Sequence, residues 1–238
     1  MIPILYEDGE ILIAVKPAGL VSERSERADG VMDRLEQERA ESGETLTLFP
    51  IHRLDREVGG VMAFAKTRSA AAWLSSLIAE RALEKEYLTV VEGSLAEREG
   101  LLEDLLYHDP RKNKTYVVAR PRRGVRPASL TYSVLEEREG LSLLRVTLHT
   151  GRTHQIRVQF ASRKHPVAGD RRYGSRIKQE PMALFSHRIT LIHPKTEKLM
   201  SFSATPDALG VWGKFDKIDD RNEEVQGHLD TSKTYILP

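Results

Sequence analysis

The feature that most constrains this chain is its succession of short alternating apolar segments, each closed by turn residues. "PILYED" and "ILIAVKP" meet across Asp8-Gly9, a dipeptide that favours a tight hairpin. "GGVMAFAKT", "KEYLTVVEG", "LEDLLYHDP", "TYVVARP", "SLTYSVLEE" and "LSLLRVTLHT" read as further strands, and "ALFSHRITLIHP" with "KLMSFSAT" as a last pair around "HPKTEK". Helical spacing shows in only three places. "DGVMDRLEQERAESG" repeats at Val31, Leu35 and Glu38–Arg39 and stops at Gly43. "RSAAAWLSSLIAERAL" puts Ala71, Leu74, Leu77, Ile78 and Ala82 on one face. "THQIRVQFASRK" pairs Ile156 with Phe160, with Thr153 as the expected N-cap. Many neighbouring strands and few helices predict an α+β fold on a mixed or largely antiparallel sheet.

At 238 residues the chain is long enough to bury a full core. No apolar run approaches the roughly 18–20 residues of a membrane span, and the opening lacks the basic start of a signal peptide. With no cysteine, neither a disulfide framework nor a thiolate metal site can form, and cytoplasmic residence is expected. A catalytic region over residues 1–213 is expected, followed by a polar, charged and disordered tail over 214–238.

The net charge of +1 conceals an asymmetry. Residues Tyr107 to Glu180 hold 17 Lys and Arg against 6 Asp and Glu, and the rest of the chain is acidic by 10. A local excess of +11 suits an anionic partner, although a solvated basic surface would look the same. Within it, "HDPRKNKTYVVARPRRGVRP" and "SRKHPVAGDRRYGSRIK" alternate basic side chains with Tyr116 and Tyr173 in Pro- and Gly-rich turns. That mixture fits grooves that follow a phosphate backbone and offer stacking surfaces. No helix presents a clear major-groove reader, so RNA is preferred to duplex DNA.

Three further stretches carry candidate chemistry. In "FPIHRLDREVGG", Asp55 stands behind His52 and Arg53 and ahead of Gly59-Gly60. It reads either as turn chemistry or as a carboxylate held beside cationic side chains. In "LEKEYLTVVEG", period two sets Tyr87, Thr89 and Val91 on one face and Leu88 and Val90 on the other. A tyrosine so placed is a core residue, or, facing a cleft, one that stacks on a base and offers a phenolic oxygen. In "HTGRTHQIRVQF", Gly151 separates strand from helix, while His154 and Arg157 are three apart. Arg152 and Arg157 beside that turn suit a phosphate or carboxylate, and a solvated basic face is the alternative. His52, His149, His154 and Asp55 could in principle ligate zinc, but H-E-x-x-H and Cys-pair patterns are missing and no metal is expected.

Taken in order, "HRLD", "KEYLTVVEG", "TGRTHQIRVQFASRKHPVAGDRRYG" and "LFSHRITLIHPKTEKLMSFSA" resemble the RluA-type pseudouridine synthases, as does the opening "ILYEDGEILIAVKPAGL". The resemblance runs from about Ile4 to Pro206. It implies the pseudouridine synthase fold, a central mixed, mostly antiparallel sheet flanked by helices and split by an RNA-binding cleft. It also implies isomerisation of a uridine in rRNA or tRNA, in a stem-loop, by a monomer using neither cofactor nor metal. Carried over by motif, Asp55 is the essential carboxylate, Tyr87 contacts the target base, Arg157 pairs with Asp55, and Arg53 helps hold the flipped nucleotide. His52, Arg152 and His154 join these as substrate-binding candidates. Arg122 and Arg123 would supply RNA contacts that many members obtain from an S4-type domain ahead of the catalytic region, a domain not expected here. The family usually follows "HRLD" with two variable residues and Thr-Ser-Gly, where this chain has Val58-Gly59-Gly60. A non-catalytic RNA-binding protein on the same scaffold is the alternative, with a metal-dependent hydrolase behind it.

Overall fold

The computed structural model describes residues 1–25, 28–216 and 218. In chain order the strands are β1 (Ile4–Glu7), β2 (Ile11–Lys16), β3 (Phe49–Pro50), β4 (Gly59–Ala65), β5 (Glu84–Glu92), β6 (Glu99–Asp109), β7 (Lys114–Val118), β8 (Val125–Arg138), β9 (Leu141–Leu148), β10 (Leu184–Ile192) and β11 (Leu199–Ser203). The helices are α1 (Val31–Glu41), α2 (Arg68–Ala79) and α3 (Gln155–Ser162). The strands form one sheet in the order β1-β2-β4-β10-β5-β9-β8-β6-β7, with β11 paired to β10 and β3 to β4. Only β4 with β10 runs parallel among the described pairs, so the sheet is mixed and mostly antiparallel, as expected.

Alternation explains how the sheet is covered. All seven residues of β4 are buried. Met62 and Phe64 pack with Leu12, Ala14 and the α1 residues Val31, Met32 and Leu35. Val61, Ala63 and Ala65 point the other way, onto Ala70, Leu74 and Leu77 of α2. α2 starts where Thr67 caps it, its side chain accepting from Ala70 N–H at 3.1 Å. On β5, Tyr87 and Val91 join the α1 face with Ile156 and Phe160 of α3. Leu88 and Val90 join a third cluster with Val211 and Trp212. The period-two division read from the sequence therefore holds.

The start of the polar tail belongs to this third cluster, because Phe215 and Ile218 are buried against Trp212. The expected disorder of the remainder falls on residue 217 and residues 219–238, outside those described. Among the described residues no helix is long and apolar enough to cross a membrane.

The α3 expectation needs one correction. Thr153 does not cap the helix. His154 takes the N-cap position in the left-handed region (φ 55°), and no side chain caps the first turn. The hydroxyl is replaced by a reverse turn in which Gln155 N–H bonds to the Arg152 carbonyl at 3.0 Å. This turn points His154 inward.

Candidate active site

A cleft of about 1160 Å³ opens where the β3–β4 loop, β5 and the β9–α3 turn meet. Asp55 lies on the loop, and the turn reading of this residue is part of the answer. Its carbonyl accepts from Val58 N–H at 3.0 Å, closing a four-residue turn. Its carboxylate, with a quarter of the side chain exposed, is left facing the cleft.

The loop is braced from behind by residues 16–22. Lys16 is fully buried, and its ammonium donates to the carbonyls of Pro17, Leu20 and Arg56 at 3.1, 2.8 and 3.2 Å. Ser22 Oγ donates to Leu54 O at 2.8 Å and accepts from Leu54 N–H at 2.9 Å. Arg56 O also accepts from Gly19 N–H at 2.7 Å. Burial lowers the Lys16 ammonium to about 8, with the Asp55 charge pulling it back up. These bonds brace the loop through its backbone. Val58 is buried in the core, and a Cβ on Gly59 would lie 3.2 Å from the Lys16 carbonyl.

Across the cleft α3 supplies the partner. Arg157 Nη1 donates to Asp55 Oδ2 at 2.7 Å, so the expected ion pair forms. The same guanidinium, 3% exposed, makes two further bonds to Asp170, Nε to Oδ2 at 2.6 Å and Nη2 to Oδ1 at 2.9 Å. The fork therefore spends one N–H on the cleft and two on its anchor, a geometry that only a planar guanidinium offers. Tyr173 lies under it, 5.2 Å from ring centre to guanidinium carbon.

Tyr173 also fixes His154. Its hydroxyl accepts from Thr115 N–H at 2.8 Å and sits 2.9 Å from His154 Nδ1. The other ring nitrogen, Nε2, lies 3.6 Å from Asp55 Oδ2. Burial lowers this imidazole to about 4, outweighing the opposing pull of Asp55, so His154 is neutral at pH 7.

Tyr87 is 6% exposed and lines the cleft from β5. Burial first, then the Asp55 charge, raises its hydroxyl above the ordinary tyrosine value, so it remains a protonated phenol. His52 lines the same wall but faces inward, with Nε2 accepting from Ala63 N–H at 3.1 Å. Burial, with Lys85 adding to it, depresses this imidazole to about 3.

Arg53 is exposed at the mouth with Glu23 3.5 Å away, and Arg152 at the rim donates Nε–H to Pro127 O at 3.1 Å. Arg122 and Arg123 lie apart from the cleft, on the exposed β7–β8 connection, where Arg122 covers the Tyr107 ring at 4.7 Å. Among the described residues no group of three or more His, Asp or Glu side chains could hold a metal ion.

Sequence reasoning missed Asp170, Lys16 and Lys85. Asp170 sits in "AGDRRYG", where two following arginines made it look like part of a basic surface. Lys16, in "AVKPAGL", carried a signal only in being a lone charge at the end of an apolar strand.

A sheet of this order with a carboxylate and a doubly anchored arginine across one cleft defines a class, and the comparisons agree. Residues 10–162 match the RNA pseudouridylate synthase family, to which the chain belongs. It is 34% identical over 218 residues to the dual-specificity RNA pseudouridine synthase RluA of Escherichia coli O157:H7, covering 86% of this chain and 93% of that protein. It is 35% identical over 206 residues to the uncharacterized RNA pseudouridine synthase YhcT of Bacillus subtilis. There the match covers 83% of this chain but 66% of the relative, so the chain spans just under two thirds of that protein's length. Among solved structures, human RNA pseudouridylate synthase domain containing 1 superposes with a TM-score of 0.72 at 20% identity, over 89% of this chain and 86% of that one. That likeness supports the fold.

Proposed function

We propose that this protein is an RNA pseudouridine synthase, an isomerase that converts uridine in a structured RNA, rRNA or tRNA, to pseudouridine with Asp55 as its catalytic carboxylate. The observation that carries the reading is the Asp55 carboxylate, exposed to the cleft on one side and held at 2.7 Å by a buried arginine on the other. A module that only binds RNA has no need of an arginine anchored by a second, buried carboxylate.

The reaction asks for little more. The C1′–N1 bond breaks, the uracil turns, and C5 bonds to C1′. C5 loses a proton and N1 gains one, so nothing is oxidised and no water is consumed. The carboxylate acts at C1′, where positive character develops as the glycosidic bond opens. Arg157 orients that carboxylate, and Asp170 keeps Arg157 from following it. Tyr87, as a protonated phenol, stacks on or bonds to the detached uracil, which its raised hydroxyl favours over a role as base.

The target nucleotide must leave its stack to enter the cleft. That costs a few kcal/mol and least in a loop, so stem-loop uridines are the proposed substrates. Arg53 and Arg152, which line the cleft, would hold the flanking strand. A cytoplasmic monomer acting without cofactor completes the reading.

Asp55→Asn tests it. Conversion of uridine in the RNA should vanish while RNA affinity stays within about threefold of the parent. Conversion at close to the parent rate would remove Asp55 from the chemistry.

A further inference from the structure

The cations around the cleft are mostly engaged. Arg157 is shared between Asp55 and Asp170, Arg53 faces Glu23, Arg152 bonds to Pro127 O, and Arg172 Nη1 donates to Lys112 O at 3.2 Å. Lys85 differs. It lies on β5 two residues before Tyr87, so both side chains leave the strand on the cleft side, and both line the cleft. It is half-buried, and among the described residues its ammonium has no carboxylate and no hydrogen-bond acceptor. Burial alone lowers its basicity, with no neighbouring charge pulling the other way.

Two neighbours sharpen the point. Gly151, at the β9–α3 turn, lies so close that a Cβ there would sit 3.3 Å from Lys85 Nζ. A residue with a side chain at 151 would crowd the ammonium, and glycine leaves its head open. His52 is near enough for the ammonium to depress its imidazole. With His52 Nε2 accepting from Ala63 N–H, the ring proton is on Nδ1, and that buried N–H has no partner among the described residues. Lys85 thus presents a donor without an acceptor on the cleft wall, while the unmatched His52 Nδ1–H is buried and turned inward. Partly buried donors are rarely left unmatched, and an ammonium least of all.

We propose that Lys85, flanked by His52 and Gly151, forms an anion subsite that takes the phosphodiester next to the flipped uridine. An RNA strand carries one such charge per nucleotide and must bring one or two of them to the cleft with any extruded base. A lysine meets a phosphate as a compact point charge, without the bidentate geometry that arginine imposes. The subsite explains how a nucleotide is set in register with Tyr87 whatever its neighbours, because a phosphate contact positions without reading sequence. This inference rests on the pseudouridine synthase reading.

The test uses a synthetic stem-loop RNA in which each loop phosphodiester in turn is replaced by a neutral methylphosphonate. The parent, Lys85→Gln and Lys85→Arg are compared for RNA affinity across a salt series and for uridine conversion. At one linkage beside the converted uridine, neutralisation should weaken the parent about tenfold and leave Lys85→Gln unchanged. The slope of log affinity against log salt should be shallower in Lys85→Gln by about 0.7, one single-stranded phosphate contact, and recover in Lys85→Arg. A merely structural lysine would not move that slope. Equal weakening of parent and Lys85→Gln at every linkage, or an unchanged slope, would overturn the subsite. A parent that binds the RNA but converts no uridine in it or in cellular RNA would instead overturn the catalytic reading, leaving the binding comparison to judge Lys85 alone.

Discussion

The residue that sequence reasoning missed most completely gives the sharpest prediction. Asp170→Asn keeps the shape of the side chain and removes its charge. Asp170 is 2% exposed and holds Arg157, itself 3% exposed, through bonds of 2.6 and 2.9 Å. Removing one partner of a buried ion pair typically costs about 3–5 kcal/mol, because the other charge is stranded. Two features reduce that here. Asp55 still neutralises the guanidinium, and the Asn oxygen still accepts one of its N–H groups. The backbone is spared as well, since the Asp170 carbonyl goes on accepting from Tyr173 and Ser175 N–H.

A loss of about 2–3 kcal/mol is therefore expected, read from urea unfolding by linear extrapolation with an unchanged m-value. The rate should suffer more than the affinity. An Arg157 held by one neutral bond in place of two charged ones lets the Asp55 carboxylate drift, and a displacement near 1 Å costs about 10²-fold in a positioned reaction. Single-turnover conversion of an RNA substrate should fall by about that factor while RNA affinity holds. A variant as stable and as fast as the parent would show that Asp170 neither supports nor orients the arginine.

Other outcomes follow from the same geometry. His52 is neutral in the folded protein down to about pH 3, whereas in the unfolded chain it takes a proton below about 6.5, so folding stability falls as pH drops below 6.5. At pH 5 its share is about 2 kcal/mol, and His52→Gln, which can still accept from Ala63 N–H, should flatten the pH 7 to pH 5 stability slope by that amount; parallel slopes would contradict it. Gly60 has φ +123°, and a Cβ there would fall 2.2 Å from the Ser186 carbonyl oxygen, so Gly60→Ala should cost at least about 3 kcal/mol by urea unfolding, and a loss below 1 kcal/mol would show that the strands yield. Paired Arg122→Glu and Arg123→Glu substitutions, both on exposed residues, should leave the melting temperature unchanged while weakening RNA affinity and its salt dependence; RNA binding equal to the parent's would remove the β7–β8 connection from the RNA path.

The sheet was legible because strand alternation and turn residues are local signals. Val61–Ala65 and Tyr87–Val91 divide between two faces as period two requires. The pair Asp55 and Arg157 was reached only through ordered motifs, since residues 102 positions apart carry no local sign of contact. Other roles depended on the partner rather than the residue. His52 looked like a substrate ligand, yet its Nε2 serves the backbone of β4. His154 was read with the helix, but its left-handed backbone makes it the hinge into α3. Thr153 lost the capping role to that conformation. Lys16 and Asp170 stayed hidden because a buried charge is recognised by what encloses it, and a linear sequence does not state that.

The position of β10 has a further consequence. It is the only strand among those described that joins β4 to β5 by hydrogen bonds, pairing Gly60 with Ser186 on one side and Tyr87 with Ser186 on the other. Asp55 belongs to the half of the sheet on one side of it, and Tyr87 and the β9–α3 turn to the half on the other. During synthesis the chain emerges N-terminus first, so both halves can be complete while the seam between them is empty. A nascent or prematurely terminated chain lacking residues from Leu184 onward thus carries Asp55, Tyr87 and Arg157 without the strand that sets them in register. Such fragments should be catalytically silent, so the proposed uridine conversion can begin only after β10 has been made.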